Sequence, residues 1–288
     1  MFAHAEVILT RLDLWLFHTI NGCSGNWALD WVASFAERNN LFKGAVMMAA
    51  YFGLWFIAES RQSTRRKIIA ALFGAIMSLL VARILASALP FRVRPLYQTD
   101  IGFLSPHLPA FAHPLELENW SSFPSDHAAL FFALAVGLWR CSRVIGTVAL
   151  AFAAIWVCLV RIYLGIHFPF DVIAGAMIGI TCGVVFGRFS NSRFTTEILH
   201  IEHRYPAWFY AATFLMTFEF ASMFDDARQL MHGSSAALHA IGFRSIGLIA
   251  AFGVAVALLL VLLAGFGFVL MRRRTRRASS AGPMRLSH

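Results

Sequence analysis

A chain of 288 residues that is 59% hydrophobic and only 14% charged falls well below the roughly 25% charge of an average soluble domain. That much apolar surface excludes a water-soluble globule, so composition alone predicts a protein of the lipid bilayer. Of the formal net charge of +9, Arg272, Arg273, Arg274, Arg276, Arg277 and Arg285 supply six, leaving +3 for the rest; such a tail after an apolar run predicts a cytoplasmic end, and with no stacking or groove-reading module beside it, the rival reading, nucleic-acid binding, is not expected.

The first forty residues alternate apolar and polar character too often to span. They are expected to lie in the membrane interface as one or two helices, anchored by Trp15, Trp27 and Trp31. No basic stretch precedes a long apolar run there, so no signal peptide is expected. Crossing a ~30 Å hydrocarbon core takes about 20 helical residues. Seven segments are candidates: Leu41–Glu59, Lys67–Leu89, Asp126–Trp139, Val144–Tyr163, Pro169–Phe189, Pro206–Phe224 and Ile246–Met271. The fold class predicted is an all-α, polytopic membrane helix bundle. Its expected divisions are an interfacial opening (1–40), a five-span core (41–190), an extension with two spans (191–271) and a basic tail (272–288). Cys23, Cys141, Cys158 and Cys182 have neither metal-site nor disulfide-framework spacing.

Basic residues fix the expected orientation. Arg61, Arg65, Arg66 and Lys67 precede the second span, Arg140 and Arg143 separate the third from the fourth, and Arg188, Arg193 and Arg204 separate the fifth from the sixth. Seven crossings put these clusters and the arginine tail on one side, which the positive-inside rule makes cytoplasmic. Three polar clusters then share the outward side: Arg92 and Arg94 after the second span, Ser125, Asp126 and His127 opening the third, and Arg161, His167 and Asp171 around the junction of the fourth and fifth.

Phosphate chemistry accounts for such a gathering. A phosphoryl group in transfer carries charge on its equatorial oxygens, which preorganised arginines and backbone N–H groups stabilise. Arg94 and Arg161 offer planar forks. Pro124, Ser125 and Asp126 read as a helix start, where free N–H groups favour an anion. His167 can attack phosphorus if its second ring nitrogen is held by an acceptor, and Asp171, four residues on, can share its helical face. His127 can protonate the leaving oxygen. The scheme requires no metal and no cofactor. Singly, each residue has an ordinary explanation, a snorkelling arginine or a helix cap; jointly, their spacing and sidedness favour a site.

Arg94-Pro95, Pro124-Ser125-Asp126-His127 and Arg161-x5-His167-x3-Asp171 together resemble the three-part signature of the type 2 phosphatidic acid phosphatase superfamily, over roughly residues 10–190. The resemblance implies His167 as the nucleophile that becomes phosphorylated, His127 as the acid and then the base, and phosphate binding by the arginines and the Ser125 region. The Phe-Pro-Ser-Asp-His variant behind Pro-Phe-Arg-x-Arg-Pro is most similar to bacterial undecaprenyl diphosphate phosphatases of that superfamily. This implies an inner-membrane enzyme with its site on the outer face. Two departures stand out. Ser87 occupies the place of the signature's first lysine, leaving Arg83, one helical turn earlier, and Arg92 as candidates for that ligand. Val160 replaces the serine before Arg161. Three other readings stay open: a phosphatase for phosphatidylglycerophosphate, phosphatidate or lipid A; a lipid phosphotransferase; and a non-catalytic lipid-binding or transport protein.

Overall fold

The computed structural model describes residues 2–57, 61–106 and 117–223. Every regular element among them is helical. Helices α1 (Phe2–Asn21) and α2 (Trp27–Arg38) form the opening, with the Asn26 side chain capping α2 by accepting from the Ala28 and Leu29 N–H groups. The Asn39 side chain accepts from Leu41 and Phe42 in the same way. A π turn over Leu41–Ala45 then leads into α3 (Val46–Ile57). Helix α2 and the Leu41–Ile57 segment meet at a 76° bend, and only taken together are they long and apolar enough to span.

Helix α4 (Arg61–Ala88) starts earlier than the apolar pattern predicts, because Arg, Gln and Lys extend a helix readily. The basic cluster at 61–67 is therefore the first turns of α4 and not a loop. Helix α5 (Asp126–Cys141) is followed after a one-residue hinge at Ser142 by α6 (Arg143–Phe152), a π segment (Ala153–Leu159) and the short α7 (Val160–Tyr163). Helices α8 (Pro169–Gly187), α9 (Arg193–Arg204) and α10 (Pro206–Ser222) complete the described chain. Gln62–Ala88, Arg143–Tyr163 and Pro169–Asn191 are each long and apolar enough to cross a membrane, and the protein is a multi-pass membrane protein. The predicted span Ile246–Met271, the 225–245 loop and the 272–288 tail lie outside the described residues.

Met1–His203 with Phe220–Met223 form one compact unit, and Arg204–Glu219 falls in a second. Within the first unit α9 is held to the start of α4 by an ion pair between Arg65 and Glu202 at 2.7 Å. At 16 residues, α5 reaches about 24 Å, short of the ~30 Å hydrocarbon core. It does not have to match the bilayer, because it is the inner helix: Leu130, Phe131, Leu134 and Leu138 have no exposed surface, and α4, α6 and α8 pack around it.

Close approach of α8 to α5 is made possible by Gly175, Gly179 and Gly183, four residues apart on one face. A Cβ at Gly175 would strike the Ser125 carbonyl oxygen, one at Gly179 the Ala129 carbonyl oxygen, and one at Gly183 would lie 2.9 Å from the Val136 Cβ. This seam brings the first turns of the two helices together. Gly179→Val is therefore expected to cost roughly 1–3 kcal/mol by overpacking. Gly53→Ala in α3, where nothing lies within 4 Å of the added carbon, is expected to be neutral or to gain up to about 1 kcal/mol. Thermal unfolding in detergent separates the two; equal melting shifts would contradict the packing described.

Candidate active site

The first turn of α8 is organised by one carboxylate. Pro169 suits the first helical position, where no N–H is needed, and Asp171 in that turn has no exposed surface. A buried carboxylate is tolerated only when donors surround it. Asp171 Oδ2 accepts from the Phe168 N–H at 2.9 Å and from the Ser122 hydroxyl at 2.5 Å. Its Oδ1 accepts from Arg92 Nη1 at 2.5 Å. Arg92 Nη2 donates to Asp13 of α1 at 2.5 Å, and Asp13 also accepts from the Phe170 N–H at 2.9 Å. The Arg92 guanidinium lies over the Phe168 ring, 4.2 Å from its centroid. The Asp171 carbonyl accepts from the Ser125 N–H at 3.0 Å, joining α8 to the cap of α5.

His167 stands just ahead of that turn and is 3% exposed. Its Nδ1 lies 2.9 Å from the Ser122 carbonyl oxygen, an acceptor only, so Nδ1 carries the proton and Nε2 keeps its lone pair. Here the structure differs from the sequence expectation. Asp171 Oδ2 is 3.8 Å from Nδ1, beyond hydrogen-bond reach. Asp171 acts one step removed, by holding Ser122, whose carbonyl holds the imidazole. Nε2 lies 3.4 Å from Arg94 Nη1. Burial first, and then the charge of Arg94, push the pKa of His167 down from 6.5 to about 3, so the ring is neutral near neutrality.

Arg94 and Arg161 are 5% and 4% exposed. Arg94 donates to the Ile166 carbonyl at 2.9 Å and to the Trp120 carbonyl at 3.3 Å. Burial and the nearby charge of Arg161 lower its pKa to about 10, which leaves it charged. The loop that carries it is fixed by the Leu96 N–H donating to the Gly165 carbonyl at 2.9 Å, and Gly165 itself needs a positive φ of 69°. Arg161 lies two residues beyond the end of the π segment, a departure from α geometry common at functional positions. Its Nη1 donates to both oxygens of Glu37, at 2.7 and 2.8 Å. Its Nε is buried with no hydrogen-bond partner. The Ile166 and His167 N–H groups fold back onto the Arg161 carbonyl.

At the start of α5, Ser125 spends its hydroxyl oxygen on the Ala128 N–H at 3.4 Å and its own N–H on Asp171. The sequence reading of free N–H groups there does not extend to Ser125. His127 is 7% exposed in the first turn, its ring stacked towards Phe131. Asp126 pairs with Arg83, whose guanidinium lies 4.2 Å over the Trp120 ring. Trp120 thus links Arg83 to Arg94. Of the two candidates for the missing first basic ligand, Arg92 is committed to two carboxylates and Arg83 sits beside Asp126 at the rim. Ser87 donates its hydroxyl back to the Arg83 carbonyl at 2.9 Å and is exposed. The three polar clusters thus meet at one end of the bundle. Arg65, Glu202 and Arg140, which donates to the Gly187 carbonyl at 2.8 Å, sit at the other.

Sequence reasoning missed Ser122, Asp13 and Glu37. Glu37 and Asp13 had a signal: an acid in the last turn of α2, where the helix dipole opposes it, and an acid between Leu12 and Leu14 on an apolar helix. Ser122 acts through its backbone carbonyl, which no residue type reveals.

The PAP2 superfamily model matches residues 88–194, the stretch that holds Arg92, Arg94, His127, Arg161, His167 and Asp171. That stretch is similar to the PAP2 superfamily. The chain is 27% identical over 177 residues to an undecaprenyl-diphosphatase of Bacillus subtilis, covering 61% of this chain and 83% of that one. It is 26% identical over 175 residues to an Escherichia coli protein provisionally named for the same activity, covering 60% and 80%. A crystal structure of LpxE from Aquifex aeolicus aligns with a TM-score of 0.43 at 27% identity, over 62% of this chain and 95% of that one. The PAP2 match over residues 88–194 and these phosphatase-named relatives support a lipid phosphatase, a phosphoric ester hydrolase.

Arg92→Ala leaves Asp13 and Asp171 facing each other without their shared cation. Arg92 is about a third exposed, so the expected loss is roughly 2 kcal/mol, below the ~3–5 kcal/mol of a fully buried pair; a melting point within a degree of wild type would contradict the clamp. His167 adds a pH signature. Its folded pKa lies below the unfolded 6.5, so the unfolded chain takes up the proton first, and stability present above pH 6.5 is lost as the pH falls towards 3. The melting point of His167→Asn is expected to fall less over that window; parallel curves for the two proteins would contradict a buried, neutral His167.

Proposed function

We propose that this chain hydrolyses undecaprenyl diphosphate to undecaprenyl phosphate and inorganic phosphate through a phosphohistidine intermediate on His167. The observation that carries the reading is the state of that imidazole: neutral, its Nδ1 held by the Ser122 carbonyl, its Nε2 lone pair 3.4 Å from the guanidinium of Arg94. A phosphate held on Arg94 and Arg161 lies beside that lone pair.

In the first step the Nε2 lone pair attacks the terminal phosphorus. The N–P bond forms and the bond from phosphorus to the bridging oxygen breaks, with His127 giving that oxygen a proton as the lipid phosphate leaves. The imidazole then carries positive charge, and the Nδ1–H bond to Ser122, backed by Asp171, stabilises it. In the second step His127 takes a proton from water, the oxygen attacks phosphorus, the N–P bond breaks and phosphate departs. Arg94 and Arg161 neutralise the equatorial oxygens in both steps. Arg83 beside Asp126 is the residue we assign to the place of the missing lysine. The prenyl chain stays in lipid, and the positive-inside pattern supports a site on the outer face of the bacterial inner membrane. The undecaprenyl assignment is supported by the Bacillus subtilis relative, whose name states that activity and 83% of whose length is matched.

His167→Ala is expected to fold and insert normally and to release no phosphate above background, while His127→Ala slows turnover by about 10²–10⁴. The purified protein should be assayed against undecaprenyl diphosphate, undecaprenyl monophosphate, phosphatidate and phosphatidylglycerophosphate. The diphosphate is expected to have the highest kcat/KM. Faster turnover of another lipid would overturn the substrate, and near wild-type turnover by His167→Ala would overturn the nucleophile.

A further inference from the structure

Arg161 already holds an anion. Its Nη1 meets both oxygens of Glu37 at 2.7 and 2.8 Å, and the Arg161 side chain is 5% exposed while the Glu37 side chain keeps 19% of its surface open. Glu37 reaches this position from the last turn of α2, where a carboxylate opposes the helix dipole. Its backbone is held there by Lys43 Nζ, which donates to the Glu37 carbonyl at 2.9 Å at the 76° bend before α3. Its charge also acts on Arg94, where it offsets repulsion from Arg161. Carboxylate and phosphate oxygens are alternative acceptors for the same N–H groups, so Glu37 and a phosphate cannot both hold that edge of Arg161.

We infer that Glu37 is a competing ligand of Arg161, displaced when the phosphate group enters and re-forming its pair as inorganic phosphate leaves. This rests on the phosphatase reading above. The carboxylate keeps a buried pair of cations from standing uncompensated between turnovers, and it weakens retention of the product. A residue that merely oriented Arg161 would have the opposite effect on phosphate affinity, so the sign of the change decides.

Glu37→Gln keeps the shape and removes the charge. Inorganic phosphate is expected to inhibit this variant with an inhibition constant about tenfold lower than wild type, equivalent to about 1.4 kcal/mol. KM for the lipid falls with it and kcat does not rise, whereas Glu37→Asp stays nearer wild type. A second measurement needs no variant: carbodiimide labelling of Glu37 in the wild-type protein, read by mass spectrometry, is expected to increase when inorganic phosphate is added. An unchanged or higher inhibition constant in Glu37→Gln overturns the inference and leaves the phosphatase reading standing, as does labelling that phosphate leaves unchanged or lowers. A wild-type protein that releases no phosphate from any lipid overturns the phosphatase reading itself.

Discussion

A carboxylate taken out of water must be given donors, and the end of the bundle that carries the site is built around that requirement at Asp171. The Phe168 N–H closes the first turn of α8, the Ser122 hydroxyl comes from the loop before α5, and Arg92 comes from the loop after α4 and brings Asp13 of α1 with it. Three remote segments are thereby fixed to one helix start. The orientation of His167 is a consequence, because the Ser122 carbonyl that holds Nδ1 belongs to a residue that Asp171 holds. The glycine seam of α8 completes the frame by letting the α5 cap come within hydrogen-bond reach of the Asp171 carbonyl.

The charges are arranged so that His167, the proposed nucleophile, stays uncharged. Burial and Arg94 both disfavour imidazolium at His167, and a neutral ring is what attack on phosphorus requires. The two buried arginines repel each other, and the acids around them divide into distinct tasks. Asp171 and Asp13 take Arg92, Asp126 takes Arg83, and Glu37 takes Arg161. Two of these carboxylates, Asp126 and Glu37, thus lie on arginines proposed as phosphate ligands, Arg83 and Arg161.

Much of this was legible in the sequence. Apolar runs located the three helices that are, among the described residues, long and apolar enough to cross a bilayer, and the motif residues from three distant stretches do meet at one end of the bundle. Helix ends were less legible: α4 begins at Arg61 because charged residues that mark a loop by composition also extend a helix, and the break at residues 39–45 depends on Asn39 caps and a π turn that hydropathy does not register. The site's finer wiring was hidden for a different reason. Spacing placed Asp171 near His167, but the acceptor for Nδ1 is a peptide carbonyl, and Arg92 resembles a phosphate ligand until its two carboxylate partners are seen.

The proposed reaction depends on which nitrogen of which histidine takes the phosphoryl group. Rapid acid-free quenching of the wild-type protein during turnover of undecaprenyl diphosphate, followed by peptide mapping of the trapped phosphoenzyme, addresses it directly. Phosphorus is predicted on Nε2 of His167, the nitrogen left free by the Ser122 carbonyl. Phosphorus on Nδ1, on His127 or on any other residue would contradict the arrangement described.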